Sequence, residues 1–355
     1  MTVCVAAATL ALGCEGTYDV GPRFERIGGE AFGTTYEVKA DISAAAAKEL
    51  ATEIEAELSD IDSRLSTWNP DSQLARFNRS GVGEATPIAL ETRTAIELAM
   101  SLRTLLQGAF DPAVGPMVEL WNFGSRRSSG RIDPPSDKQV AEAQAIAAAD
   151  GFRIETEPRL QIVKGVAGYE LDLSAIAKGD AVDRIALLCS GPSPHWMVEI
   201  GGEVRVSPSR PDGSPWRIGV VDPSDPLGRR PLRIVPLRDF AMATSGDYRN
   251  FQRIGDRTVS HTIDPRTGRP VDNRLASVTV LHHTCAFADA AATALMVMGP
   301  DEGLAWARSR DVACLLVVRP AEGNDLEVMA SPEFDRLVAE MARPLPPSAV
   351  RIRHR

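Results

Sequence analysis

The sequence predicts an α+β fold, one large domain of mixed or antiparallel sheet with flanking helices. Three observations carry that prediction. Strand-like alternation and helix-like periodicity interleave irregularly, without the repeated strand–helix units of a doubly wound parallel sheet. No internal repeat and no clear inter-domain linker breaks the body of the chain. Its 355 residues, 44% hydrophobic and 25% charged, have the composition of an ordinary globular protein able to bury a sizeable core.

Taken in order, residues 15–27 mix Gly, Pro and charge without a period, and read as a linker or the approach to a first strand. The domain proper is expected over 28–345, with a basic tail at 346–355. Glu30 to Ala40 alternates and predicts a strand, and Ala44 to Ser63 places Leu50, Ile54, Leu58 and Ile61 at helical spacing. A loop through Asn69 and Pro70 leads to a helix start at Asp71 or Ser72, and a second long helix is expected over Thr86 to Gln107. The stretch GAFDPAVGPMVELWNFG carries too much Gly and Pro for regular structure, so an ordered loop anchored by Phe110, Trp121 and Phe123 is expected.

Ser136 caps an expected helix to Ala149, and Arg159–Val163 and Glu170–Leu173 read as two strands around a turn. A helix from Lys178 to about Cys189 ends before Pro192, and WMVEIGGEVRV over 196–206 reads as strand, Gly–Gly kink, strand. Short strands follow at 216–221, 232–237, 240–244 and 277–281. An alanine-rich helix over 286–298, strands at 314–318 and 326–329, and a helix over 333–341 complete the chain.

Charge and cysteine content narrow the function classes. A net charge of -9 argues against a nucleic-acid surface. The five cysteines are scattered and form no CxxC pair, so they suggest neither a zinc site nor a redox motif. No apolar run approaches the ~20 residues of a transmembrane helix. The first residues, MTVCVAAATLALGC, form an apolar leader ending in Ala-Leu-Gly-Cys, which predicts a lipoprotein signal peptide cleaved before Cys14, although it is short and lacks a basic start. The expected location is therefore the periplasmic face of a bacterial membrane, reached only through a lipid anchor.

Five features carry possible chemistry, among them the polar stretches Gly201–Glu203 and Thr244–Arg249 (TSGDYR). ELDLSAIAKGDAVD, residues 170–183, reads as a strand running into a helix N-terminus, where free N–H groups suit a phosphate or a carboxylate. It is no P-loop, because the earlier glycine and the Ser/Thr after Lys178–Gly179 are missing. In SHTIDPRTGRP, His261 precedes Asp264 and a Pro-initiated turn, so it serves either structure or proton transfer near neutral pH. Asp289 and Thr293 stand four apart among alanines, which suits either a tightly packed helix or two hard oxygen ligands for Mg²⁺.

In order and spacing, STWNPDSQLARFN, GAFDPAVGP with LWNFG, DLSAIAKGDAVD, IGGEV, ATSGDYR, HTIDPRTGRPV and ADAAATAL resemble the FAD:protein FMN transferase (ApbE) family across most of the chain. The resemblance implies a T-fold-related α+β domain. It also implies a Mg²⁺-dependent transferase that splits FAD, places FMN on a threonine or serine of an acceptor flavoprotein such as a respiratory redox subunit, and releases AMP. By that likeness Ala175 (through its carbonyl), Asp289 and Thr293 hold the metal. Phe32, Trp68, Ala109, Phe110, Asp111, Asp172, Lys178 and Ile263 contact FAD, and His261 deprotonates the incoming hydroxyl. Departures from the family pattern fall at Phe32, Ala175, Lys178 and Asp180, and bear on contacts more than on reaction class. An FAD pyrophosphatase giving FMN and AMP, or a non-catalytic FAD-binding lipoprotein, are the competing readings.

Overall fold

A computed structural model describes residues 24–127, 133–225, 230–246, 251–254, 257–320 and 325–344. The leader with Cys14, the tail at 346–355 and the end of the ATSGDYR motif lie outside the described residues.

The chain opens with β1 (Glu25–Ala31) and β2 (Thr34–Ala40), not with one strand over 30–40. Phe32 and Gly33, at φ 53° and 74°, reverse the chain between them. Helix α1 (Ala44–Leu65) follows as expected, its first turn capped by the Ser43 hydroxyl, which accepts the Ala46 N–H. Ser72 caps α2 (Gln73–Arg79) in the same way through Ala75. The next expected helix begins late. Ala85–Pro87 forms β3, paired with residues Gln161–Lys164, and α3 runs only over Leu90–Leu105. Thr86 faces Ile162 across that ladder, so tertiary pairing overrides the helical pattern at its start.

The Gly/Pro-rich segment is more regular than its composition suggests. Asp111 caps a 3-10 turn at Pro112–Val114 that leads into α4 (Gly115–Leu120), and in each a proline sits in the first turn, where its missing N–H costs nothing. Helix α5 (Asp137–Ala147) carries a complete Ser136–Gln139 capping box. Strands β4 (Phe152–Glu155) and β5 (Gln161–Lys164) join β3 in a small sheet. Residues 170–173, expected as a strand, have no sheet partner. The Asn78 amide meets both backbone groups of Leu171, and Asp172 N–H donates to the Pro112 carbonyl. Helix α6 spans Ser174–Ser190, starting four residues before Lys178, so Lys178 and Gly179 lie in its second turn.

The main sheet uses β6 (Trp196–Ile200), β7 (Glu203–Val206), β10 (Ala241–Gly246), β15 (Leu275–His282), β16 (Ala313–Val318) and β17 (Glu327–Ala330). Between them come the β8 (Trp216–Val221) and β9 (Pro231–Leu237) hairpin, and the small pairs β11 (Phe251–Ile254) with β12 (Arg257–Ser260) and β13 (Ile263–Asp264) with β14 (Arg269–Pro270). The order is β1-β2-β6-β7-β10-β15-β16-β17, with every neighbour antiparallel. Helix α7 (Cys285–Ser309) outruns its expected end at Met298 by bending at Gly299 (φ 81°) before Pro300, and α8 (Pro332–Met341) closes the described chain.

Period-2 alternation sends the sheet into two cores. Ala241, Ala243, Val278, Val280, Cys314 and Leu316 face α1, α6 and α7, while Met242, Leu281, Ala313 and Leu315 face the β8–β9 hairpin and α8. Both faces of the central strands are covered, which explains the unbroken apolar run ACLLVV in β16. Among the described residues no helix is long and apolar enough to cross a membrane.

Candidate functional site

The site grows from the crossing of α6 and α7. Gly179 permits that crossing, since a Cβ there would stand 2.5 Å from the Cys285 carbonyl oxygen and 2.7 Å from the Ala286 Cα. Asp183 fixes its register by accepting the free N–H groups of Cys285 and Ala286 at 2.9 and 3.0 Å, while Arg205 holds the same carboxylate at 2.6 Å. One turn back along α6, the Gly179 N–H donates to Asp289 Oδ2 at 3.2 Å. The two helices therefore run antiparallel, and Ala175 lies a further turn back along α6.

Around Asp289 the charges do not balance. Lys178 Nζ sits 2.6 Å from Glu203 Oε1 and 3.7 Å from Asp289 Oδ2, so two carboxylates, each about 4% exposed at the side chain, share one ammonium. Burial pushes the Asp289 carboxyl up to about 7; Lys178 and the Gly179 N–H oppose that shift, and Glu203 adds to it. Burial alone would lower the Lys178 ammonium, but Asp289 and Glu203 outweigh it and hold it above the usual lysine range. The second Glu203 oxygen, Oε2, is buried with no hydrogen-bond partner. Two buried acids thus share a single ammonium.

Sheet register brings other residues to this end of the fold. Gly201 and Gly202, at φ 63° and 111°, turn β6 into β7 and present Glu203, and Glu199 clamps the turn by accepting the Gly202 N–H at 2.6 Å. The Phe32 turn lies alongside: Gly201 N–H donates to the Thr35 carbonyl, and a Cβ at Gly201 would strike the Thr34 methyl at 2.8 Å. From the last turn of β10, the Ser245 and Thr293 hydroxyls meet at 3.2 Å. Thr293 is half-buried on α7.

The remaining expected residues occupy separate places. Trp68, 53% exposed, stands beyond α1 with the Arg127 guanidinium 5.1 Å from its ring. A cavity of about 70 Å³ opens beside it, lined by Thr67, Asn78, Arg126, Glu170 and Asp172 among others. Asp172 Oδ1 accepts the N–H and the hydroxyl of Ser174, anchoring the start of α6. Ala109 and Phe110 are core residues, and Asp111 accepts the Ala113 N–H at 2.9 Å and pairs with Arg103 at 2.9 Å. Ile263 is buried in β13, and half-buried His261 joins β12 to it. That turn is tied to the 110–124 segment by Trp121 Nε1, which donates to the Gly268 carbonyl at 2.7 Å. Glu203 and Ser245 lie in polar stretches that the sequence marks but to which it assigns no role, and Asp183 has none assigned either. An acid straight after Gly–Gly was a signal for the first; Asp183 carried none, because its role exists only once α7 packs on α6.

The fold and this centre define an α+β domain in which two buried acids share one lysine at a helix crossing, with an exposed aromatic elsewhere on the surface. The chain belongs to the ApbE family, whose model matches residues 32–316. It is similar to the FAD:protein FMN transferase of Vibrio cholerae, 38% identical over 90% of this chain and 94% of that one. The enzyme of that name from Haemophilus influenzae is 37% identical over 84% and 87%. Among solved structures, flavin transferase ApbE from Vibrio cholerae superposes with a TM-score of 0.76 at 36% identity, covering 88% of this chain and 99% of that one. The apo form of the Pseudomonas stutzeri flavinyl transferase ApbE gives 0.78 at 35% identity, covering 89% and 97%.

Proposed function

We propose that this protein is a Mg²⁺-dependent flavin transferase that cleaves FAD, joins FMN by a phosphoester bond to a threonine or serine of an acceptor protein, and releases AMP. The observation that carries the reading is the α6–α7 crossing, where excess buried negative charge meets a carboxylate and a hydroxyl one turn apart. The donor set fits the ion: Asp289, Thr293 and the Ala175 carbonyl are all hard oxygens. Among the described residues there is no cluster of three or more His, Cys, Asp or Glu suited to a metal, and Mg²⁺ usually takes few protein ligands and keeps water and phosphate oxygens. Bound there, Mg²⁺ would neutralise charge on the pyrophosphate as it breaks.

The chain's own groups do the rest. Trp68 offers a stacking face, and Phe32, Ala109, Phe110 and Ile263 shape apolar walls. Asp172 and Asp111 would offer lone pairs to ribose or base donors, and the Lys178 ammonium, ion-paired with Glu203 and Asp289, would meet phosphate oxygens from that position. His261 takes the proton of the acceptor hydroxyl as its oxygen bonds to the phosphorus of the FMN half. The bond from that phosphorus to the bridging oxygen breaks, and AMP leaves with the electron pair. The apolar leader ending in Cys14 supports lipid anchoring at the periplasmic face, where acceptor flavoproteins would be met.

The test pairs two readouts. Cells with and without the protein are compared by flavin fluorescence on denaturing gels, and purified protein is given FAD and Mg²⁺ with the acceptor so found. A covalent flavin adduct and AMP should appear together and vanish with Asp289→Ala. AMP release that ignores the acceptor would instead favour a pyrophosphatase, and stable FAD binding with no AMP a storage protein.

A further inference from the structure

We infer that Glu203 is a positioning residue that holds the Lys178 ammonium at the long end of its ion pair with Asp289 and so leaves Asp289 accessible to a divalent cation. The inference rests on the metal reading above and goes beyond it, because Glu203 is none of the three donors. Lys178 is the natural competitor for that cation. Its Nζ already forms a long ion pair with Asp289 Oδ2 at 3.7 Å, and a small swing would tighten it to a direct hydrogen bond. What holds it off is the 2.6 Å hydrogen bond to Glu203 Oε1.

Glu203 is built to stay where it is. It is 3% exposed, opens β7, and is aimed by a Gly–Gly turn that the Glu199 carboxylate locks. The one cation on its own strand, Arg205, is committed to Asp183 and does not compete. The Oε2 atom, buried and unpartnered, faces no donor that would pull the carboxylate from Lys178. Removing the charge of Glu203 leaves Asp289 as the sole anionic partner of Lys178. A cation must then displace an internal ion pair, and binds more weakly. Removing Lys178 removes the competitor, so Glu203 has nothing left to position.

The experiment titrates the metal-free full chain, without FAD, with Mn²⁺ as the probe, and reads free Mn²⁺ by electron paramagnetic resonance. Glu203→Gln should raise the Kd by about tenfold, the scale of losing an outer-shell partner. In a Lys178→Met background, the same change should move the Kd far less. Equal factors in both backgrounds would show that Glu203 acts on the cation directly, and an unchanged Kd would show that it does nothing; either overturns the inference. Should Glu203→Gln fail to fold, Glu203→Asp, which keeps the charge but draws it back from Lys178, should give an intermediate Kd, and a Kd equal to the parent's would overturn the inference. A parent protein that takes up no Mn²⁺ removes the metal reading itself, and this inference with it.

Discussion

The Gly179 N–H donates to the Asp289 carboxylate across the α6–α7 crossing at 3.2 Å, so the backbone of one helix orients the acid of the other. That contact exists because nothing larger than hydrogen stands at Gly179. An alanine would be favoured by helix propensity by about 1 kcal/mol. Its Cβ, however, would stand 2.5 Å from backbone oxygen and 2.7 Å from backbone carbon, neither of which can rotate away. The clash wins: Gly179→Ala is expected to cost roughly 1–3 kcal/mol in denaturant unfolding and to abolish flavin transfer. Wild-type stability with full activity would show that the helices are not in contact there.

Asp183 should matter to the fold more than to chemistry. It satisfies two N–H groups at the start of α7 and pairs with Arg205, whose Nε is buried without a partner. Asp183→Ala should lower stability by about 2 kcal/mol, and Asp183→Asn, which keeps one acceptor, by less. Chemical denaturation of the two variants checks the order.

Trp68 is a large apolar side chain left in solvent, which suits a residue waiting for a flat ring. Trp68→Ala should raise the KM for FAD by about tenfold, the size of one lost stacking contact, and should leave unfolding within about 0.5 kcal/mol of the parent. A KM that does not move would remove Trp68 from the FAD site.

Metal removal gives a fourth test. Treatment with a chelator followed by gel filtration should bring flavin transfer to background, and Mg²⁺ should restore it. Thr293→Val, nearly isosteric but without the hydroxyl, should need about tenfold more Mg²⁺ for half-maximal rate. An unaltered Mg²⁺ requirement would argue that Thr293 serves only its bond to Ser245.

Alkaline pH should loosen the fold through buried acids. Burial pushes the Cys189 thiol from 9.0 to about 12, the Cys314 thiol from 9.0 to about 11 and the Tyr169 phenol from 10.0 to about 12. Each stays protonated in the fold and ionises freely in the unfolded chain. Above pH 9 the folded state therefore binds more protons, and stability, fully present below that pH, falls as pH rises toward 12. Denaturation midpoints at pH 8, 9.5 and 10.5 check the slope, and Cys189→Ala should flatten part of it. The same burial should protect Cys189, Cys285 and Cys314 from alkylation in the native protein.

Local chemistry settled much of this protein in advance. Helical spacing in α1, the caps at Ser72 and Ser136, the Gly–Gly turn before Glu203 and the acid–hydroxyl pair on α7 are short-range patterns, legible because each depends on residues within a turn or two. The motif order likewise carried the ApbE family. Tertiary structure decided what the patterns left open. Thr86 became strand because β5 lay beside it, and Leu171 found its partner in the Asn78 side chain, not in a sheet. Lys178, which the sequence placed at a helix N-terminus facing phosphate, lies one turn inside α6 and is bound to Glu203 and Asp289. The reason is physical: burial and pairing of charges depend on which surfaces meet across the fold, and no local period encodes that carboxylates from β7 and α7 will share one lysine of α6.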